Sequence, residues 1–234
     1  MNKYLVGVMA MLFTISACSP PVIFDKAYPL EVENLKAIPS SYTGVFICES
    51  DSALLIISQH DITLRKENYF MLPLKDVEER EDCKIAGEQM YVTGRSECIP
   101  LEFINDSIVK GTVVEHDTLF LMGEKSIARI YQGHVVLSQE VEDGQWAVSL
   151  LSLEDNKDIK YRAITDKTKI KNVSKITSME NITTIDDKRD RYKIRPSMVQ
   201  FDELLNDDKV FIECEYLTRI NLETVPSKPI ILKI

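Results

Sequence analysis

The sequence predicts a mainly β protein, α+β overall: a sandwich, barrel or meander of short antiparallel strands with one or two short C-terminal helices. Three observations lead there. From Tyr42 onward, apolar runs of roughly four to eight residues follow one another, separated by Gly, Asn, Asp or Ser, as strands alternate with turns. Beyond Asp166 the apolar spacing changes from alternation to threes and fours, the period of a helix. The composition is that of a globular chain, with 44% hydrophobic and 28% charged residues among 234, and lies outside the ranges of disordered, collagen-like and polytopic membrane proteins.

In chain order the predicted strands are Val45–Cys48, Leu54–Ile57, Ile62–Leu64, Tyr69–Leu72, Met90–Val92, Pro100–Ile104, Ile108–Val114 and Thr118–Met122. Ile127–Tyr131, His134–Leu137, Trp146–Leu151 and Ile159–Ile164 continue the series. Asp76–Asp82 is strongly charged and reads as one exposed helical turn or a long loop. No fixed-period repeat runs through the chain, which argues against a solenoid or propeller. Ile170, Val173 and Ile176 lie three apart and predict a short helix. Residues 180–193 are polar, with the run Asp186–Arg191, and predict a solvated loop. Pro196–Gln200 predicts a helix start: the Ser197 hydroxyl accepts from the amide three residues on, while Gln200 reaches back to the Ser197 amide. Phe201, Leu204 and Leu205 form that helix's apolar face. A last strand, Val210–Ile220, alternates Val210, Ile212, Cys214 and Tyr216 with Phe211, Glu213 and Glu215.

The N-terminus carries a different signal. Met1-Asn2-Lys3 precedes an apolar run from Tyr4 to Ala17, about 14 residues where a membrane-spanning helix takes roughly 20. A charged start, a short apolar middle and small residues at the end describe a secretory signal. The run ends Ile15-Ser16-Ala17-Cys18, which resembles the lipobox of bacterial lipoproteins. That resemblance is confined to residues 1–20 and bears on nothing beyond them. It implies cleavage after Ala17, a diacylglycerol on the Cys18 sulfur and an acyl chain on the new amino group. Two or three acyl chains hold a protein on a bilayer firmly, at roughly 0.8 kcal/mol per buried CH₂. By the same resemblance, Ser19 in place of Asp after the cysteine implies the outer membrane. The absence of an acidic cluster after Cys18 favours its periplasmic face.

The expected organisation is a signal peptide (1–17), a proline-containing tether (18–40) with Pro20, Pro21, Pro29 and Pro39, a β-rich body (41–165) and an α+β C-terminal part (166–234) packed on the same body. The net charge of −9 argues against nucleic acid, which is bound through a Lys/Arg surplus.

Four further cysteines bear on an exported protein. Cys83 and Cys98 flank a segment with Gly87 and Gly94 that predicts a hairpin and a disulfide, closing a loop of about 15 residues at a stabilisation of roughly 3 kcal/mol in the chain-entropy model. Cys48 and Cys214 lie in hydrophobic strands and read as two buried thiols or a weaker second bridge. His60-Asp61 and Glu115-His116-Asp117 place carboxylates beside imidazoles, but neighbours on a strand point to opposite faces, and both read as surface turns. His134 is the third histidine. No metal-ligand spacing and no hydrolase, kinase, nucleotide or calcium-loop motif is present, so no catalytic residue, metal or cofactor is expected beyond the acyl chains. Trp146 reads as a core residue of a central strand. The acidic stretches Glu78–Asp82, Asp202-Glu203 and Asp207-Asp208 read as solvated faces. Asp51-Ser52-Ala53, Asp106-Ser107-Ile108 and Asp117-Thr118-Leu119 resemble the Asp-Ser/Thr-aliphatic motif of bacterial O-glycosylation, which would make Ser52, Ser107 and Thr118 sugar-bearing surface positions.

The expectation for function is a non-enzymatic envelope lipoprotein that binds or scaffolds an envelope protein partner, showing a filled core and a patch of exposed apolar side chains. The alternative is a lipocalin-like carrier of a lipid or other apolar small molecule, with a cavity lined by residues such as Phe46, Ile56, Leu64 and Phe120.

Overall fold

A computed structural model describes residues 20–165, 170–183 and 190–220; the expected signal peptide, Ala17 and Cys18 lie outside them. Two compact units emerge. One comprises the described parts of Met1–Ala37, Met122–Glu154 and Lys160–Cys214, the other those of Ile38–Leu121, Asp155–Ile159 and Glu215–Ile234. The first unit opens with β1 (Val22–Phe24). The second holds β2 (Gly44–Cys48), β3 (Leu54–Ile57), β4 (Asp61–Pro73), α1 (Leu74–Glu78), β5 (Cys83–Ala86), β6 (Gln89–Val92), β7 (Ile99–Asn105) and β8 (Ile108–Leu121). The chain then returns to the first unit through β9 (Ser126–Tyr131), β10 (His134–Glu142) and β11 (Gln145–Leu153). After these come β12 (Ile159–Ala163), α2 (Ile170–Ile176), β13 (Met179–Asn181), β14 (Tyr192–Ile194) and α3 (Met198–Asn206), and last β15 (Ile212–Ile220). The molecule is mainly β with three short described helices, as the alternation predicts. Among the described residues no helix is long and apolar enough to cross a membrane.

The second unit is an antiparallel meander in the order β2-β3-β4-β8-β7-β6-β5, with Leu217–Ile220 of β15 paired to β2. Its two long strands run together from Asp61↔Leu121 to Pro73↔Ile108. The sequence presents each as two shorter runs, because Arg65–Asn68 and Glu115–Asp117 have the polarity of turns. In the folded chain these residues are cross-strand neighbours, with Lys66 opposite Glu115 and Arg65 opposite His116, and the Asn68 amide donates to Glu115 at 2.9 Å. Alternation is invisible where neither sheet face is deeply buried, so charged pairs carry the ladder. One buried cluster of this unit is Met90, Ile99, Leu101, Val109 and Val113, closed by Val77 of α1; Phe46, Leu55, Ile57, Ile62 and Phe120 are buried as well. Phe70 lies across the backbone of its register partner Gly111, where a Cβ would overlap the ring.

In the first unit β10 pairs with β9 and β11. β1 inserts between β11, antiparallel, and β14, parallel. This corrects the expected tether. Val22, Ile23 and Phe24 are buried, the Tyr28 hydroxyl donates to the Pro196 carbonyl at 2.6 Å, and Arg129 donates to the carbonyls of Ala27 and Pro29, both at 2.7 Å. The prolines suggested an extended spacer, but three consecutive large apolar side chains are more stable inside a sheet than in water. The expected body 41–165 is likewise divided: residues 122–154 share the first unit with the N-terminal segment and the late helices. Residues 180–193 are in part ordered by pairing, since β13 and β14 pair antiparallel from Met179↔Ile194 to Asn181↔Tyr192; residues 184–189 lie outside the described residues.

The late helix forms as its local signals dictate. The Ser197 hydroxyl accepts from the Gln200 amide at 3.3 Å and the Gln200 side chain accepts from the Ser197 amide at 2.9 Å, a complete capping box. Phe201, Leu204 and Leu205 are buried against Phe24, Tyr28, Val136 and Leu150.

The expected disulfide between Cys83 and Cys98 is not formed; both are free thiols, and Cys48 is a free, buried one. A hairpin does form after Cys83, but the residue it brings opposite is Val92. β6 lies between β5 and β7, so Cys83 and Cys98 stand about two strand spacings apart, roughly 10 Å, beyond the ~7 Å that a bridge tolerates. Leu217, not Cys214, faces Cys48 across β15 and β2, and the Cys214 side chain lies outside the described residues.

Candidate functional site

A cleft of about 460 Å³ opens at one end of the first unit's core face. Strand pairing builds one wall. Gln132 and Gly133, at φ 48° and 78°, make the two-residue turn that suits a twisted hairpin and bring β10 back so that His134 faces Ser152 of β11. β12 lies on the other side of β11. Arg162 reaches over this row: its Nε donates to Ser152 Oγ at 3.2 Å, and its Nη2 lies 3.3 Å from His134 Nε2. The same face continues inward as Val136, Val148 and Leu150, so His134, Ser152 and Arg162 stand where the apolar face ends. The connection after α3 adds exposed Asp208 and buried Phe211 to the lining. At the rim Lys160 pairs with Glu154 at 3.5 Å.

The protonation of the row follows from its geometry. A guanidinium only donates, so His134 Nε2 is the acceptor and the imidazole proton sits on Nδ1. Nδ1 is buried with no hydrogen-bond partner among the described residues. Burial, and then the neighbouring Arg162 charge, hold the His134 pKa below its ordinary 6.5. The unfolded chain therefore takes up this proton at a higher pH than the folded chain does. His134 contributes stability above about pH 6.5 that is lost as pH falls through its folded value. We expect His134→Gln to flatten the fall in urea-unfolding free energy below about pH 6.5. Equal slopes for wild type and His134→Gln would contradict the assignment.

A second feature lies on the outward face of the second unit. The register sets Met71, Lys110 and Glu102 in one row and Pro73, Ile108 and Asn105 in the next, with Ile104 at the bulge between Phe103 and Asn105. Met71, Ile104 and Ile108 are 64%, 49% and 37% exposed. Lys110 spans Glu102 at 3.2 Å and the Tyr69 ring at 4.9 Å, leaving the apolar side chains beside a charged row that is internally paired.

No family model matches the chain, and neither the curated proteins nor the solved structures contain a match.

The other residues singled out in the sequence fall elsewhere. His60 lies in the turn before β4, as expected, but His116 sits within β8 opposite Arg65 rather than in a turn. Ser52 and Ser107 occupy turns, whereas Thr118 is an exposed strand residue opposite Thr63. Trp146 packs on the first unit's core. Phe46 and Phe120 are fully packed, and the Arg219 guanidinium covers the Phe46 ring at 4.6 Å. Among the described residues no group of three or more metal-ligating side chains occurs. Sequence reasoning passed over Ser152 and Arg162. The available signal was a serine following Val148 and Leu150 at strand spacing, where another apolar residue would complete the face.

Proposed function

We propose that the mature chain is a cell-envelope lipoprotein, anchored in the outer membrane through acylated Cys18, whose second unit binds a protein partner. The exposed apolar group Met71, Ile104 and Ile108 carries this reading. Apolar side chains flanked by a polar row have the make-up of a protein interface, with an apolar centre and a polar rim. Glu102 and Asp106 beside them disfavour an anionic bilayer as the occupant, since such surfaces attract clustered Lys and Arg.

The test is made in a diderm bacterium expressing the full chain. Cys18→Ser should release the protein from the membrane fraction. A photo-crosslinking residue at Ile104 or Ile108 should give one discrete protein adduct that Met71→Glu abolishes. The same residue at Lys84, an exposed position on β5, should give none. Membrane retention of the Cys18→Ser protein would overturn the anchor. Adducts that are equal at Lys84 and Ile104, or unaffected by Met71→Glu, would overturn the binding face.

A further inference from the structure

We propose that the cleft in the first unit is a binding site for a small organic acid, with the Arg162 guanidinium holding its carboxylate. Arg162 brings an unbalanced charge to the cleft. Arg162 is partly buried, and no carboxylate among the described residues pairs with it. Its two side-chain partners, Ser152 Oγ and His134 Nε2, are both neutral. A guanidinium offers five N–H donors in a planar fork, and among the described residues two are engaged by side chains. A cation withdrawn from water is ordinarily matched by an acid, and the free edge of the fork suits a bidentate oxyanion.

His134 makes this state persist. A carboxylate at its position would fix the guanidinium and also cancel its charge. A neutral imidazole accepting one N–H fixes the orientation and leaves the charge for a ligand, so His134 is a positioning residue. The rest of the cleft narrows the ligand class. Lys160 and Glu154 answer each other at the rim. The Asp208 carboxylate also lines the cleft, which disfavours a dianionic phosphate more than a monocarboxylate with an uncharged body. Leu153 and Phe211 supply apolar surface for that body. The volume of about 460 Å³ falls within the usual range for small-molecule sites.

The experiment uses the full lipidated protein in detergent micelles, titrated with 3-phenylpropanoate, its neutral analogue 3-phenylpropanamide, and inorganic phosphate. Calorimetry should show saturable binding of the carboxylate, with the amide and phosphate each weaker by about tenfold or more. Arg162→Gln should weaken carboxylate binding by about tenfold or more, while Lys175→Gln, exposed on α2, leaves it unchanged. A third readout needs no variant: in the wild-type protein the His134 imidazole ¹⁵N resonances should move in step with saturation, because the ligand repolarises the guanidinium that His134 accepts from. No saturation by about 10 mM, equal binding of acid and amide, or saturation without movement of the His134 resonances would overturn the site. Tighter binding of phosphate than of the carboxylate would overturn the ligand class.

Discussion

Truncating Phe201 to alanine should lower the unfolding free energy of the first unit by about 3–5 kcal/mol and its thermal midpoint by roughly 10–20 °C. The side chain is fully buried and joins α3 to the segment that the sequence presented as a tether. Its ring lies 5.1 Å from that of Tyr28, 6.2 Å from Phe24 and 6.1 Å from Tyr131. Removing it leaves a cavity bounded by β1, β9 and the segment after β1, and these rings are held by strand pairing and by the Tyr28 hydrogen bond to Pro196. They cannot all collapse inward, so both the transfer free energy and the contacts of the lining are lost. Val199→Ala, two residues earlier and 69% exposed, should change stability by less than about 0.5 kcal/mol. Calorimetry on both variants decides the matter: a Phe201→Ala loss no larger than that of Val199→Ala would mean that α3 is not docked on the core described here.

Arg219→Lys should destabilise the second unit by about 2–3 kcal/mol although the charge is kept. Its Nη1 donates to the Thr43 carbonyl at 2.7 Å, Nη2 to Ser41 at 2.9 Å and Nε to Lys157 at 3.1 Å, while the guanidinium plane covers Phe46. An ammonium is a single point with no flat face and cannot serve three diverging acceptors and a ring together. Gly44 belongs to the same arrangement. Its φ of +150° and the closeness of the Arg219 guanidinium leave no room for a Cβ. Arg195→Lys is the comparison, since that side chain is 61% exposed and forms surface pairs with Glu180 and Asp25 that contribute about 0–1 kcal/mol. Urea unfolding, with hydrogen exchange at the β2 amides, should separate the two variants. Equal effects would show that Arg219 acts as a charge and not as a planar fork.

The candidate cleft was legible only in part. His134 was visible as a histidine opening a strand, and Phe211 as an apolar residue of the last one. What makes the site is that His134, Ser152 and Arg162 form a single row across three strands. Their spacings along the chain carry no motif, because cross-strand neighbours are set by register and not by local periodicity. The cysteines make the same point in reverse. Cys83 and Cys98 are close in sequence and separated in space by the strand the chain places between them.

Elements whose signals are local were legible in the chain alone. Short apolar runs bounded by turn residues specify strands, and Ser197 with Gln200 ahead of Phe201, Leu204 and Leu205 specifies a capped helix, because the groups that satisfy one another lie within a few residues. Long-range packing settled that Val22–Phe24 is a buried strand, that two pairs of runs fuse into the long strands β4 and β8, that residues 41–165 divide between two units, and that Arg162, with no carboxylate partner among the described residues, lines a cleft. Each depends on partners tens to more than a hundred residues away, such as Val22 beside Tyr192 or Asp61 beside Leu121. Pairing and burial act between segments after the chain has folded back, and no window of the sequence contains both sides of such a contact.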